Sequence, residues 1–421
     1  MEKTQRNTLI NNTIMMYLLS ITKLVIPLIS LPYLTRVLSV EFYGSVSFVK
    51  NIIAYMQIII DFGFLISATK ELVGIIKNKD EVGKTIGNTL YAQLLLAFAT
   101  SLIMVILCFV LDILDGFEIF AILSLVPTIL TVFLFEYVFK AYEQMGKITI
   151  RFVVMKVIAL ILTLIFVKSD SDIILIPIFD IIATLVAVVL VGFQLKQLGV
   201  KCKFSFKHIK EAIGMLGKSF VVFISNFMST AFGALNVIII GVVLTKSDVA
   251  YWTVTMQLLT AVHAMYNPIV NSVYPVMIKN KDLKLIHKIL LIYTPLIVGG
   301  CVIVYFFGDW IVSLIFTEKY LMSSTLLKYI IPVLIVSFLS LLYGWPCFGA
   351  IDKEKAHYLT TVIGVVIQVL GLILLFILDS FTLINLAIVR CVSEVVLCVL
   401  RMIIVYKNKK KFFVDRITEE T

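Results

Sequence analysis

The sequence predicts an all-α polytopic membrane protein: twelve transmembrane helices in two six-helix lobes related by pseudo-two-fold symmetry. Three observations carry this reading. Of 421 residues, 61% are hydrophobic and only 15% charged, with a mean hydropathy of +1.06. A soluble protein carries about a quarter charged residues and cannot hide so much apolar surface, so a water-soluble enzyme is excluded. The apolar residues come in runs of about 18 or more, long enough to cross ~30 Å of hydrocarbon as helices, without the polar alternation of a transmembrane β-barrel. Finally, six runs precede and six follow a basic segment at 196–218.

The spans read 12–35, 43–67, 85–111, 118–139, 149–167, 173–195, 219–244, 249–276, 290–316, 323–346, 357–378 and 382–404. The first follows MEKTQRNTL directly. It is too long for a signal-peptide core and no small-residue cleavage site follows, so no cleavable signal is expected. It places Asn12, Lys23 and Ser30 in register. Span 2 carries Tyr43, Lys50, Gln57 and Asp61 at spacings of 7, 7 and 4, one polar stripe on an otherwise apolar helix. Lys50 and Asp61 lie within about 20° of each other and about 16 Å apart along the axis. Spans 3 and 9 are recognised by length and hydrophobicity. Span 4 holds Pro127 and ends at Glu136, Lys140 and Glu143, a charged helix end. Lys156 in span 5 and Lys328 in span 10 lie near span ends, where lysines snorkel. Asp180 in span 6 follows Pro177 by three residues, where a broken helix exposes a carboxylate. Span 7 has Ser225, Ser229 and Asn236 on one face, and span 8 has His263, Asn267, Asn271 and Tyr274. Gln368 stands alone in span 11, suited to an interhelical hydrogen bond. Arg390 and Glu394 in span 12 form an i, i+4 pair.

Lysine and arginine set the orientation. Of 36, 27 fall in the termini and alternate turns that share one side, counting Arg401 with the tail; four (Arg36, Lys168, Lys246 and Lys319) fall on the other side. The bias places both termini in the cytoplasm. The net charge of +10 then faces an anionic leaflet rather than nucleic acid. The domains read as a six-helix lobe at 1–195, a basic cytoplasmic linker at 196–218, and a second six-helix lobe with a basic tail at 219–421. Echoes at a common offset support a repeat: VLS at 37–39 with VLT at 243–245, Gly44 with Ala250 and Asp61 with Asn267 at 206, and Pro127 with Pro332 at 205. Parallel repeats of this kind occur in secondary transporters.

Ionisable groups at membrane depth are costly and usually face protein or water. The stripes on spans 1, 2, 7 and 8 therefore predict a central aqueous cleft, with snorkelling as the alternative for Lys50 and Asp61. The six cysteines show no CxxC or Cys/His zinc spacing. His208, His287 and His357 lie in or beside inner loops and form no metal cluster. No nucleotide-binding loop occurs, so no cofactor and no ATPase activity are expected.

LPYLTRVLSVEFYGSVSF (31–48) resembles the first-loop signature of bacterial polysaccharide exporters, and PTILTVFLFEYVFKAYEQMGKITIR (127–151) resembles their span-4 segment. The two stretches cover about a tenth of the chain. With the 6+6 arrangement, the chain is similar to O-antigen and repeat-unit flippases, in the superfamily that also holds multidrug-and-toxin extrusion (MATE) transporters and lipid II flippases. DVAYW at 248–252 departs from the pattern, lacking the Tyr-Gly pair of the first half. The resemblance implies a MATE-like fold in the bacterial inner membrane and a substrate of oligosaccharide on undecaprenyl pyrophosphate, moved to the periplasmic leaflet. Polysaccharide polymerase and chain-length machinery are implied partners. In that role Lys23, Lys50 and Arg390 suit the pyrophosphate and Gln57, Asn267, Asn271 and Tyr274 the sugars. Asp61, Asp180 and Glu394 are candidates for a coupling proton or sodium ion. The alternatives are a cation-coupled drug exporter of the same fold and a membrane glycosyl polymerase or ligase.

Overall fold

A computed structural model of the chain describes residues 2–203 and 209–412. His208 and Arg416 lie outside these residues, as does the side chain of Ser229. The described residues form helices and short 3-10 turns, with no strand among them. In chain order the helices are α1 (Glu2–Val37), α2 (Val40–Asp61), α3 (Phe64–Ile75), α4 (Lys79–Val110), α5 (Glu118–Leu130), α6 (Glu136–Ala141), α7 (Met145–Phe166) and α8 (Leu175–Leu198). They continue as α9 (Ile209–Val243), α10 (Lys246–Asn280), α11 (Leu283–Phe316), α12 (Leu321–Tyr343), α13 (Trp345–Ala350), α14 (Glu354–Ile377) and α15 (Leu383–Lys407).

Each of the twelve predicted spans falls on one helix or one broken pair. Among the described residues, ten stretches are long and apolar enough to cross a membrane. The other two are α10, rich in polar side chains, and α15, which carries Arg390, Glu394 and Arg401. The chain is a multi-pass membrane protein.

Helix starts follow from local chemistry. The Ser39 hydroxyl accepts from the Phe42 amide to cap α2, and Asn78 accepts from the amides of Asp80 and Glu81 to cap α4. Asp282 caps α11 in the same way, through the Lys284 amide at 2.9 Å. Such caps satisfy amides that have no partner inside the helix. The paired caps of α4 and α11 belong to a wider correspondence. Val40 and Lys246 start α2 and α10, Glu118 and Leu321 start α5 and α12, and Met145 and Glu354 start α7 and α14.

Three spans are interrupted. Between α2 and α3, Phe62 and Gly63 adopt the left-handed region, with φ of 42° and 79°. Between α5 and α6 lie a 3-10 turn over Thr131–Leu134 and Phe135 at φ 48°. Gly344 separates α12 from α13. The first two breaks adjoin, since α3 packs against α6. In α10 the helix continues through Pro268 and Pro275.

The chain divides into two compact units, Met1–Val249 and Ala250–Thr421. This border lies beyond the 196–218 linker because α9 packs along α2, α3 and α4. The core of the first unit includes Phe64, Leu72, Ile86, Val138 and Phe139; that of the second includes Phe338, Leu342, Tyr343 and Phe348. Both cores surround helix breaks, so the irregular backbone is held by packed side chains rather than exposed to lipid.

Candidate functional site

On α2 the side chains of Val46, Phe48, Val49, Ile52, Met56 and Ile60 are buried, whereas Lys50 is exposed and Gln57 and Asp61 are half-buried. The helix thus has an accessible polar face over Lys50, Gln57 and Asp61. Tyr43, placed on the same stripe from sequence, is buried. The Gln57 amide donates to Oδ1 of Asp61 at 2.9 Å and to the Thr131 hydroxyl at 3.3 Å. Asp61 ends α2 and Glu136 opens α6, so each carboxylate stands at a helix break. Glu136 and Lys23 are both close enough to act electrostatically on Asp61. Lys23 is exposed, with Nζ 5.4 Å from the centre of the Phe152 ring.

A second charged group lies farther along α2. Lys156 Nζ on α7 is 3.8 Å from Oδ1 of Asp180 on α8. Lys50 is close enough to interact electrostatically with both. The snorkelling expected for Lys156 is not what the fold provides. Helix α7 begins at Met145, four residues before the predicted start, and so puts Lys156 near its middle. Either helix end is then about 15 Å away, beyond the reach of a lysine side chain. Lys328 likewise has a partner, with Nζ 3.0 Å from a carboxylate oxygen of Asp309.

Other predicted positions serve the framework. Asn12 donates to the Glu143 carbonyl at 2.8 Å and accepts from the Met145 amide at 3.3 Å, tying α1 to the turn before α7. Ser30 donates to the Pro27 carbonyl beside a proline inside α1. On α9, Ser225 is exposed and Asn236 buried, so these two do not share an accessible face. Arg151, the last residue of the second sequence motif, is only 2% exposed and lies 4.3 Å from the Phe139 ring centre.

In the second unit, His263 shares a hydrogen bond of 2.8 Å with the Ser337 hydroxyl. Asn267 and Asn271 are exposed. Tyr274 stacks on Trp345, with ring centres 5.8 Å apart and planes 17° from parallel. Gly349 sits against the Tyr274 ring, where any side chain would collide. Arg390 and Glu394 form an ion pair at 3.2 Å, with side chains 12% and 9% exposed. Arg390 also lies within electrostatic range of His263. Gln368 accepts from the Ser393 hydroxyl at 2.6 Å, the interhelical bond expected of it. Arg401, counted from sequence with the tail, is instead buried inside α15 and bonded to Ser340 and Thr361.

The structure therefore brings together Asp61 with Gln57 and Arg390 with Glu394, and it places Lys50 within electrostatic range of Asp180 and Lys23 within that of Asp61. Sequence reasoning missed Lys156, Thr131, Glu136 and Trp345 as neighbours of these groups. Lys156 was set near a span end because the span was started four residues late; the others reach their positions through backbone breaks that no periodicity marks.

Solved structures share this architecture. A MATE family multidrug resistance transporter in an inward-facing conformation matches with a TM-score of 0.67 at 13% identity, over 96% of this chain and 99% of its own. The lipid II flippase MurJ, in an inward closed conformation, matches with a TM-score of 0.65 at 15% identity, over 94% of this chain and 89% of its own. In sequence, the "Putative O-antigen transporter" of Escherichia coli (strain K12) is 23% identical over 304 residues, 70% of this chain and 72% of that protein. The protein of the same name from Shigella dysenteriae is 23% identical over 372 residues, 85% of this chain and 91% of that protein. Residues 9–281, which hold the accessible face of α2, both interrupted spans of the first unit and the Lys156–Asp180 pair, match the polysaccharide biosynthesis protein family. The chain belongs to that family.

Proposed function

We propose that the chain is a flippase. It moves undecaprenyl-pyrophosphate-linked oligosaccharide repeat units, of the O-antigen or capsule type, from the cytoplasmic to the periplasmic leaflet of the inner membrane by alternating access. Both termini lie in the cytoplasm, in line with the 27 to 4 split of Lys and Arg. Membership of the family and the O-antigen transporter names of its relatives support the substrate class.

The observation that carries the reading is the accessible Lys50, which shares the Asp180 carboxylate electrostatically with Lys156. One carboxylate among three charged groups leaves a net positive charge. Three such groups facing hydrocarbon would be prohibitively costly, so the space between them is aqueous. A pyrophosphate needs this surrounding, and Lys23 adds a further accessible cation. Asn267, Asn271 and Tyr274, stacked on Trp345, supply hydrogen-bonding and aromatic partners suited to sugars, and Gln57 supplies an amide. The Arg390 charge is engaged by Glu394, so its part as an anion ligand depends on that carboxylate. Asp61, Asp180 and Glu394 are the candidate coupling groups, for a proton or sodium ion. A cation-coupled drug exporter would need an anionic cavity, against the balance around Lys50.

The test is complementation in a strain lacking the gene. Lys50→Ala and Lys23→Ala should each reduce surface polysaccharide while membrane levels of the protein stay normal, and Lys50→Arg should retain more activity than Lys50→Ala. Wild-type polymer levels in both alanine variants would sink the pyrophosphate reading.

A further inference from the structure

Lys156 and Asp180 do more than neutralise each other. Their 3.8 Å separation exceeds hydrogen-bonding distance, and both side chains stay accessible, at 38% and 32%. A tight buried pair would be closed off; this one is loose and accessible. Lys50 on α2 interacts with the same carboxylate. The helices that carry the three groups are linked by packing, α7 on α8, α8 on α5 and α5 on α2. One carboxylate thus pairs loosely with Lys156 and lies within electrostatic range of Lys50, so it acts on two ammonium groups from two different helices.

That arrangement has two consequences. With Asp180 absent, two ammonium groups would repel each other in a site of reduced dielectric. With it present, any anion that binds both lysines must compete with the carboxylate for them. We propose that Lys156 is the second lysine of the pyrophosphate site and that Asp180 is its internal counter-ion, displaced when the pyrophosphate binds both lysines. The proposal rests on the reading of Lys50 as a phosphate ligand. The loose geometry makes the exchange cheap in both directions. Substrate phosphate takes the lysines from Asp180 on binding, and Asp180 recaptures them on release.

The experiment uses the full-length protein in detergent at low salt, with binding of inorganic pyrophosphate followed by calorimetry. Lys156→Gln should weaken binding about tenfold, and Asp180→Asn should tighten it by a similar factor. In the Lys156→Gln background, Asp180→Asn should have a smaller effect than alone, because one of the two competed lysines is gone. If Lys156→Gln fails to fold, the double variant Lys156→Gln/Asp180→Asn, which removes both charges, is compared with Asp180→Asn instead. Binding that depends on Lys50 but is unmoved by changes at 156 and 180 overturns this inference and leaves the Lys50 reading standing. Binding unmoved by Lys50→Gln overturns both. The same series with undecaprenyl pyrophosphate in micelles should keep the same order; an order seen only with the inorganic ion assigns the site to a soluble anion and overturns the lipid assignment.

Discussion

The side-chain amide of Gln57 donates to the Asp61 carboxylate across 2.9 Å, at the residue where α2 ends. The same amide reaches Thr131, which begins the break between α5 and α6. Gln57 thus links two interrupted helices through one carboxylate. In transporters, discontinuous helices present ion sites because their ends leave backbone carbonyls without intrahelical partners.

The first prediction follows from what Asp61 lacks. Lys23 acts on it through space only, with no ion pair between them among the described residues. Asp61→Asn keeps an acceptor for the Gln57 amide and leaves no buried cation stranded. It should therefore insert and express normally, with a stability change of about 1 kcal/mol or less. If Asp61 carries the coupling ion, transport in liposomes should lose its response to an imposed pH or sodium gradient. A variant that still responds as wild type does removes Asp61 from that role.

Arg390 and Glu394 make the opposite case. With side chains 12% and 9% exposed, they form a pair removed from water. Losing one partner strands a buried charge, at a cost of about 3–5 kcal/mol, whereas replacing both with apolar residues of similar volume is often neutral. Glu394→Ala and Arg390→Ala should each lower the thermal midpoint in detergent, and Arg390→Met/Glu394→Leu should recover it. If the double variant is stable and transport is still lost, the pair serves function; restored transport marks it as structural.

These two cases also show what the sequence makes legible. Ten of the twelve spans were readable because hydrophobic length is a one-dimensional property; the other two, on α10 and α15, form helices that carry more polar and charged side chains. The accessible stripe on α2 was readable because Lys50, Gln57 and Asp61 obey helical spacing. The breaks were not: Phe62 and Phe135 take left-handed φ values that an apolar phenylalanine does not announce, and packing imposes them. Glu136 and Thr131 were therefore not seen as neighbours of Asp61. Lys156 was misplaced for a simpler reason, a helix start set four residues late, which turned a mid-helix lysine into one near an end.

Gly44 provides a steric test. A β-carbon there would overlap the carbonyl of Lys246, the first residue of α10. Lys246 in turn donates to the Asp115 carbonyl at 3.3 Å and lies 4.7 Å from the centre of the Phe117 ring, which itself meets Phe42 edge-on. Glycine at 44 is what lets these turns close on α2. Gly44→Leu should force them apart and destabilise the protein by about 1–3 kcal/mol, as overpacking does elsewhere. Gly44→Ala should give a smaller shift in the same direction. Unchanged thermal midpoints in both variants would mean that this contact is not maintained.

Arg401 separates two readings of one residue. As a tail cation it would serve only the charge bias across the membrane, and lysine would replace it without loss. Its position says otherwise. The side chain is 5% exposed, and one terminal nitrogen donates at 2.9 Å to both the carbonyl and the hydroxyl of Ser340. The other donates to Thr361 at 3.0 Å. Ser340 lies in the last turn of α12, just before the break at Gly344, where helix carbonyls lose their partners and the helix dipole favours a cation. Arg401 thus caps α12 and joins it to α14 and α15. An ammonium is a point donor that cannot span these acceptors as a planar guanidinium fork does. Arg401→Lys should therefore lower the thermal midpoint despite keeping the charge. Arg401→Leu should lower it further, because buried acceptors left unpaired cost about 1–3 kcal/mol each. A lysine variant as stable as wild type would return Arg401 to the role of a topology signal.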